Sequence, residues 1–423
     1  MRVTFAELSR TELSDLVERL RAAYGELSAR GLKLDLTRGK PSAEQLDLST
    51  ALLDLPGSAD YRAADGSDVR NYGGLRGLPE LREIFAPLLG LKPESMIAVG
   101  NSSLELMHDY LMHAVLFGVP GGSAPWRDVA FLCPVPGYDR HFSICAKLGM
   151  EMIPVPMTAD GPDLAEVELL AADPKVKGIW CVPKYSNPTG EIYSPETVRK
   201  LAEMPTGAED FRIFWDNAYA VHHLTDEQPE IEDIIGAALA AGHPDRPIVF
   251  GSASKITLAG SGIAFLGASD ANLDWLVGHL SKRSIGPDKV NHLRHVRFLE
   301  SPQGVLDLMA KHRALLRPKF DLVGQALTDE LADTGVASWT TPRGGYFVTL
   351  TVRPGCASRI VELAGQAGIA LTPAGAPFPH GKDPQDNVIR IAPTFPPLTE
   401  LADAMAALVL CVKLASAEQL LAA

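Results

Sequence analysis

The strongest constraint on the fold is an alternation that starts near residue 96. Short apolar runs at 96–100, 128–133, 151–156, 176–182, 211–216, 247–252 and 262–267 are separated mostly by stretches with helical spacing. These include 102–118, 139–148, 163–172, 194–203 and 229–241. Apolar runs too short for helices and bounded by Gly, Pro and Asp read as strands buried on both faces. Repetition of strand, helix and strand predicts an α/β fold with a mostly parallel sheet covered by helices. In such a sheet the functional groups gather at the carboxyl ends of the strands.

The pattern changes after a helical stretch at 270–333. Runs at 344–352, 369–373 and 387–393, with helices at 357–367 and 397–416, predict a smaller α+β unit. A helix over 6–30, stopped by Gly31, is expected to pack with it, and 32–66 reads as mostly irregular. A chain of 423 residues is too long for one ordinary core. The net charge of −13 argues against a general nucleic-acid binder. The cysteines (Cys133, Cys145, Cys181, Cys356 and Cys411) form no CxxC pair, which fits a reducing, cytoplasmic setting. The N-terminus has no apolar signal-peptide core, and no uncharged apolar run reaches the ~18 residues of a membrane span.

From Ile248 to Ser269 the only charged residue is Lys255, in "GSASKITLAG". Taken alone, such a lysine lays its stem on the surface and its head in water. In a pocket, desolvation would lower its pKa and free the amine as a nucleophile. The other strand ends carry "GNSS" (100–103), "SNPTG" (186–190) and "WDNAY" (215–219). Each is ordinary by itself. Ser102 and Ser103 can cap a helix, Asn187 to Gly190 can form a turn, Asp216 can be solvated and Tyr219 can fill a core. Together they suit one ligand. Hydroxyls at a helix N-terminus make a phosphate site. A lone lysine, a carboxylate, a phenol and an amide supply what pyridoxal phosphate needs, since its aldehyde takes a lysine and its ring nitrogen an acid.

The set "NPTG", "DNAY", "SASK" and "RIAP" resembles the fold-type I pyridoxal-phosphate (PLP) dependent aminotransferases, and within them a divergent bacterial subgroup of aspartate aminotransferases. Further matches are "RGKP" (38–41), "NYGGLRGLPELR" (71–82), "PGYDRH" (136–141), "PRGGYF" (342–347) and "IRIAPTFP" (389–396), so the resemblance covers nearly the whole chain. It implies a large PLP-binding domain at 56–314 with a mostly parallel seven-stranded sheet. It also implies a small α+β domain from 1–55 and 315–423. By the same resemblance Lys255 forms the Schiff base, Asp216 meets the pyridine nitrogen, and Tyr219 and Asn187 donate to the phenolic oxygen. Tyr138 would stack on the ring, and Ser102, Ser103 and Ser252 would hold the phosphate. Tyr72 would reach the phosphate of the neighbouring subunit, which requires a homodimer. Arg390 would clamp the substrate α-carboxylate beside Gly39, and Lys40 is a candidate for a second carboxylate.

The implied activity is ping-pong transfer of an amino group between an amino acid, best L-aspartate, and 2-oxoglutarate. The same lysine and aspartate would also serve a β-eliminating lyase or a decarboxylase. A PLP-binding regulator fits less well, because the stretch before "RGKP" is too short for a winged helix. A dinucleotide-dependent redox enzyme lacks its GxGxxG. One departure stands out: Gly262 occupies a place where many relatives have a phosphate-binding arginine. For the distal carboxylate, Arg38, Arg283 and Arg294 are further candidates. Lys184 reads as exposed, and His292, His295 and His312 as lying on polar helix faces. His222 and His223 lack metal-site spacing, and no metal is expected.

Overall fold

The computed structural model describes residues 4–37 and 39–423. The chain enters α1 (Arg10–Ala29) through a capping box, in which Ser9 accepts from the Glu12 amide and Glu12 accepts from the Ser9 amide. β1 (Leu34–Asp35), α2 (Ala43–Asp47) and α3 (Pro79–Phe85) lead into the alternating region. There the order is β2 (Met96–Ala98), α4 (Ser103–Phe117), β3 (Ala130–Val135), α5 (Asp139–Leu148), β4 (Glu151–Thr158) and β5 (Gly161–Pro162). It continues with α6 (Leu164–Ala171), β6 (Val176–Cys181), α7 (Pro195–Glu203), β7 (Arg212–Asp216), α8 (Ile234–Ala240), β8 (Pro247–Ser252) and β9 (Ala264–Gly267). The predicted helical stretch is three helices, α9 (Asp270–Arg283), α10 (Lys289–Leu299) and α11 (Pro302–Leu331). The chain ends with β10 (Ala337–Trp339), β11 (Val348–Val352), α12 (Ala357–Gln366), β12 (Ile369–Ala370), β13 (Val388–Ile391) and α13 (Leu398–Ala422).

The large sheet has the order β2-β9-β8-β7-β6-β3-β4-β5. Its central strands run parallel, and β9 lies antiparallel between β2 and β8. The expected strands are all present, and the two-residue β5 adds an antiparallel eighth at the edge. Side chains on β7 alternate between two cores. Phe214 packs with Tyr110 of α4, Phe142 of α5 and Leu273 of α9, while Ile213 and Trp215 pack with Val198 of α7 and Ile234 of α8. Each such buried side chain contributes about 1.5–3 kcal/mol, so the strand ends rest on a rigid platform.

A three-stranded antiparallel sheet, β10-β11-β13, forms a second layer with α12 and α13. The N-terminal helix α1 shares this core through Val17, Leu20 and Leu27, as its amphipathic pattern suggested. Several details differ from the sequence reading. The run at 369–373 does not join this sheet; Ile369 and Ala370 pair in parallel with Leu34 and Asp35. β10 was not anticipated. The expected boundary at 314/315 falls inside α11, whose Val305 and Met309 pack in one cluster and whose Leu316 and Val323 pack in another. Among the described residues, no helix is long and apolar enough to cross a membrane.

Candidate active site

The carboxyl ends of β6, β7 and β8 border a cavity of about 640 Å³. That volume lies in the range of small-molecule sites. Asp216 closes β7, Tyr219 lies three residues beyond it, Lys255 sits in the turn after β8, and Asn187 is in the loop after β6. Ser102 and Ser103 come from the start of α4, and Tyr138 is the N-cap of α5. Gly39 and Lys40 arrive from the segment before α2, and Arg390 from β13. The cavity thus lies between the two sheets and draws on both.

Asp216 is 4% exposed. Its Oδ2 accepts from His141 Nε2 at 3.0 Å, and the His141 ring is stacked on Trp180 at 4.2 Å and 8°. Its Oδ1 is buried without a partner. A buried acceptor left unmade costs about 1–3 kcal/mol, so the site is arranged to receive a donor from the cavity. The sequence reading quoted "PGYDRH" for Tyr138 alone and missed His141. Its signal was the three-residue spacing, which puts both side chains on one face of the first turn of α5.

Burial holds the Lys255 amine below the usual lysine range, and the Asp216 carboxylate partly offsets this. Its Nζ stands 5.3 Å from the centroid of the Tyr219 ring. Burial, followed by the nearby Tyr138 and Asp216, raises the Tyr219 phenol well above its ordinary value, so it stays a neutral O–H donor. Tyr138 is pushed up to about 12 by burial and by the Asp216 and Asp139 carboxylates.

Arg390 is 7% exposed. Its Nη1 donates to Asp139 Oδ1 at 3.0 Å and to Asn187 Oδ1 at 3.3 Å, and its Nη2 donates to Thr372 Oγ1 at 3.3 Å. Its Nε is buried and unpartnered, a donor held open beside the cavity. Because Asn187 Oδ1 faces the guanidinium, its amide NH₂ is left to donate elsewhere. Phe347 supports the guanidinium from 4.9 Å. Gly39 lies against the same ring: a Cβ there would come within 2.6 Å of Phe347 Cζ. Lys40 sits 3.8 Å over the Phe395 ring, a cation–π contact. Asp139, Phe347, Thr372 and the rim cation Arg140 also line the cavity, and all were missed.

The anion end is built from the start of α4. The Ser102 side chain makes no capping bond, so the first N–H groups of a 15-residue helix stay open. Ser254, not Ser252, faces the cavity; Ser252 lies behind it and accepts from the Ser254 amide at 3.1 Å. The reason for Gly262 is steric. A Cβ at 262 would stand 2.8 Å from Ser254 Cα and 2.9 Å from its nitrogen, so no arginine fits there with Ser254 in place.

Several expected residues lie elsewhere. Tyr72 is 79% exposed and does not line the cavity of its own chain. Arg283 is paired with Glu105 and Asp109, and Arg294 donates to the Leu55 carbonyl, so neither serves the cavity. Arg38 lies outside the described residues. Lys184 is buried rather than exposed, donates to the Ala220 carbonyl at 2.7 Å, and is brought down to about 8 by burial. His292, His295 and His312 are also buried, at 1%, 0% and 1% exposure, instead of facing solvent. They lie on the buried faces of their helices, and each ring finds a polar partner inside.

Comparison with known proteins gives likenesses in both sequence and structure. A sequence model described as aspartate amino-transferase matches residues 8–423. An aspartate aminotransferase of Corynebacterium glutamicum is 52% identical over 95% of this chain and 94% of its own. A crystal structure of an aspartate transaminase from that species superposes with a TM-score of 0.97 at 49% identity, covering 99% of this chain and 100% of the other. More distantly, an α-aminoadipate aminotransferase of Thermus thermophilus, complexed with N-(5′-phosphopyridoxyl)-L-leucine, shares the fold at a TM-score of 0.74 and 21% identity over 93% of this chain and 95% of its own.

Proposed function

Because the chain belongs to the aspartate aminotransferase family, we propose that this cavity is where it moves an amino group from L-aspartate to 2-oxoglutarate, using pyridoxal 5′-phosphate anchored on Lys255. That it is an aminotransferase follows from the family; the substrate pair, the cofactor and the residue roles are our reading. The observation that carries the reading is the unpartnered, buried Asp216 Oδ1 in the same cavity as a lysine whose ammonium form is disfavoured by burial. A protonated pyridine ring and an amine-reactive aldehyde would satisfy both.

When bound, that cofactor supplies an electron sink for the pair left on the substrate Cα. Asp216 would accept the ring N–H, with His141 holding its other oxygen still. The Tyr219 hydroxyl and the Asn187 amide would donate to the phenolic oxygen, and Tyr138 would support the ring. Ser102, Ser103, Ser254 and the open end of α4 would hold the phosphate. Lys255 would hold the aldehyde end of the cofactor, and its amine, whose ammonium form burial disfavours, would be the base that takes the substrate Cα proton. Arg390, supported by Phe347 and beside Gly39, binds the α-carboxylate through a planar fork. Among the described residues, Lys40 and Arg140 are the remaining cations lining the cavity, and either would meet a second carboxylate there. The first keto acid leaves before the second substrate binds. Two chains assemble so that Tyr72 of each completes the phosphate site of the other, which fits its exposure in the single chain.

The test is turnover of L-aspartate with and without added 2-oxoglutarate. Transfer requires the keto acid, whereas a lyase does not. Lys255→Ala should lose the visible absorbance of the bound cofactor and at least about 10²–10⁴-fold in rate, the share due to proton transfer alone. Full turnover by that variant would end the assignment.

A further inference from the structure

Lys255 is not held by a helix. It sits in a single turn after β8, in which the amides of Ile256 and Thr257 both donate to the Ala253 carbonyl at 2.9 Å. The turn is not continued, so the carbonyls of Lys255 and Ile256 lack the partners that a helix would give them.

Histidines take those places. His222 Nε2 lies 3.4 Å from the Lys255 carbonyl, and His312 Nε2 lies 3.0 Å from the Ile256 carbonyl. His295 Nε2 is 2.9 Å from Thr257 Oγ1. Three consecutive residues are therefore each met by a different imidazole. The rings come from the loop after β7, from α10 and from α11, and are 3%, 0% and 1% exposed respectively for His222, His295 and His312.

The partners also fix the ring states. A carbonyl only accepts, so His222 and His312 carry a proton on Nε2. On its other side, His312 Nδ1 is 2.9 Å from Gln45 Nε2. The Ser42 amide donates to Gln45 Oε1 at 3.1 Å, which orients that side chain and makes its nitrogen the donor to His312. His312 is thereby a neutral ring in one tautomer. His295 Nδ1 donates to the Asn291 carbonyl at 2.8 Å, which leaves its Nε2 an acceptor; the Thr257 hydroxyl lies 2.9 Å from that nitrogen and 3.2 Å from the Ala253 carbonyl, with one proton for the two. Burial lowers the pKa of all three histidines, in agreement with this pattern.

We propose that His222, His295 and His312 are positioning residues that pin the turn 255–257 and so aim the Lys255 amine into the cavity. None touches the cavity itself; they act through the backbone and the Thr257 hydroxyl. The inference rests on Lys255 being the cofactor anchor. A proton-carrying amine displaced by a fraction of an ångström from its acceptor loses rate steeply. Freed of its donors, the turn relaxes and the amine shifts relative to Asp216 and Tyr219.

The test uses the cofactor-loaded enzyme with Thr257→Val, His312→Phe and His312→Gln, and Lys255→Ala as the blank. Three quantities are read: the pH midpoint of the visible band of the bound cofactor, kcat and KM, and the melting temperature of the cofactor-free chain. Thr257→Val and His312→Phe should shift the midpoint by about half a pH unit or more. They should lower kcat roughly tenfold, with KM changed less than about twofold. His312→Gln, whose amide can still donate to the Ile256 carbonyl, should restore most of both. Should His312→Phe fail to fold, Thr257→Val, close to isosteric, decides alone. A wild-type midpoint and kcat in the variants that fold, even with a lower melting temperature, would show that the imidazoles only stabilise the fold and would overturn the inference. A wild-type enzyme with no Lys255-dependent band would instead sink the reading of the site on which the inference stands.

Discussion

Single atoms decide much of this site. Gly262 has an ordinary backbone, φ −70°, so its glycine is required by space and not by conformation. Gly262→Ala would press a methyl against the Ser254 backbone, which is not the yielding end of a side chain. The expected cost is about 1–3 kcal/mol of stability, as for other overpacked interiors. Displacement of Ser254 should also weaken cofactor retention. A thermal melt and a titration of the cofactor-free chain with pyridoxal phosphate check both; a variant as stable and as tightly loaded as the parent contradicts the packing. At Gly39 a Cβ would meet the tip of the buried Phe347 ring at 2.6 Å and Tyr346 Cβ at 3.2 Å, so that position too is held small by packing.

Among the elements, α5 does the least visible work. Its first turn places Tyr138, Asp139 and His141 on three different tasks: the cavity wall, the Arg390 ion pair and the Asp216 hydrogen bond. His141→Phe keeps a ring on Trp180 but removes the donor that orients the Asp216 carboxylate through its Oδ2. The expected result is a fall in kcat of roughly 10- to 100-fold, as for other orienting partners, with little change in KM. Steady-state kinetics beside a melting curve separate this from unfolding. The glycine pair in "PRGGYF" has a packing cause of the same kind. A Cβ on Gly344 would lie 2.3 Å from the Tyr185 ring, whose hydroxyl meets His223 Nδ1 at 2.7 Å. The sequence singled out that motif but not the ring that explains it, because the partner sits on a loop of the other sheet.

For the whole molecule, buried histidines set the acid limit. Burial lowers His292 to about 3 and His295 to about 4, against 6.5 for a free imidazole. Between pH 6.5 and about 4 the unfolded chain therefore binds protons that the folded chain refuses, so stability falls as pH falls through that window, and these rings add no slope above it. The slope reaches about 1.4 kcal/mol per pH unit for each such histidine. Denaturant unfolding across pH 4–8 measures it; a stability independent of pH below 6.5 would mean that the rings are solvated.

The alternation of strands and helices, the lone lysine and the strand-end aspartate were legible in the sequence because each is local. Periodicity reports which face is buried, and a strand end reports where a ligand can be met. What the sequence left open are contacts between distant segments: β12 with β1, His141 with Asp216, and the imidazoles beneath Lys255. A histidine on an amphipathic helix looks the same whether its ring meets water or a carbonyl. Only the tertiary burial of those faces of α10 and α11 excludes the water, and exclusion of water is what keeps those rings neutral. The sequence by itself determined the chemistry that gathers at the cavity; the tertiary structure decided which groups hold that chemistry in place.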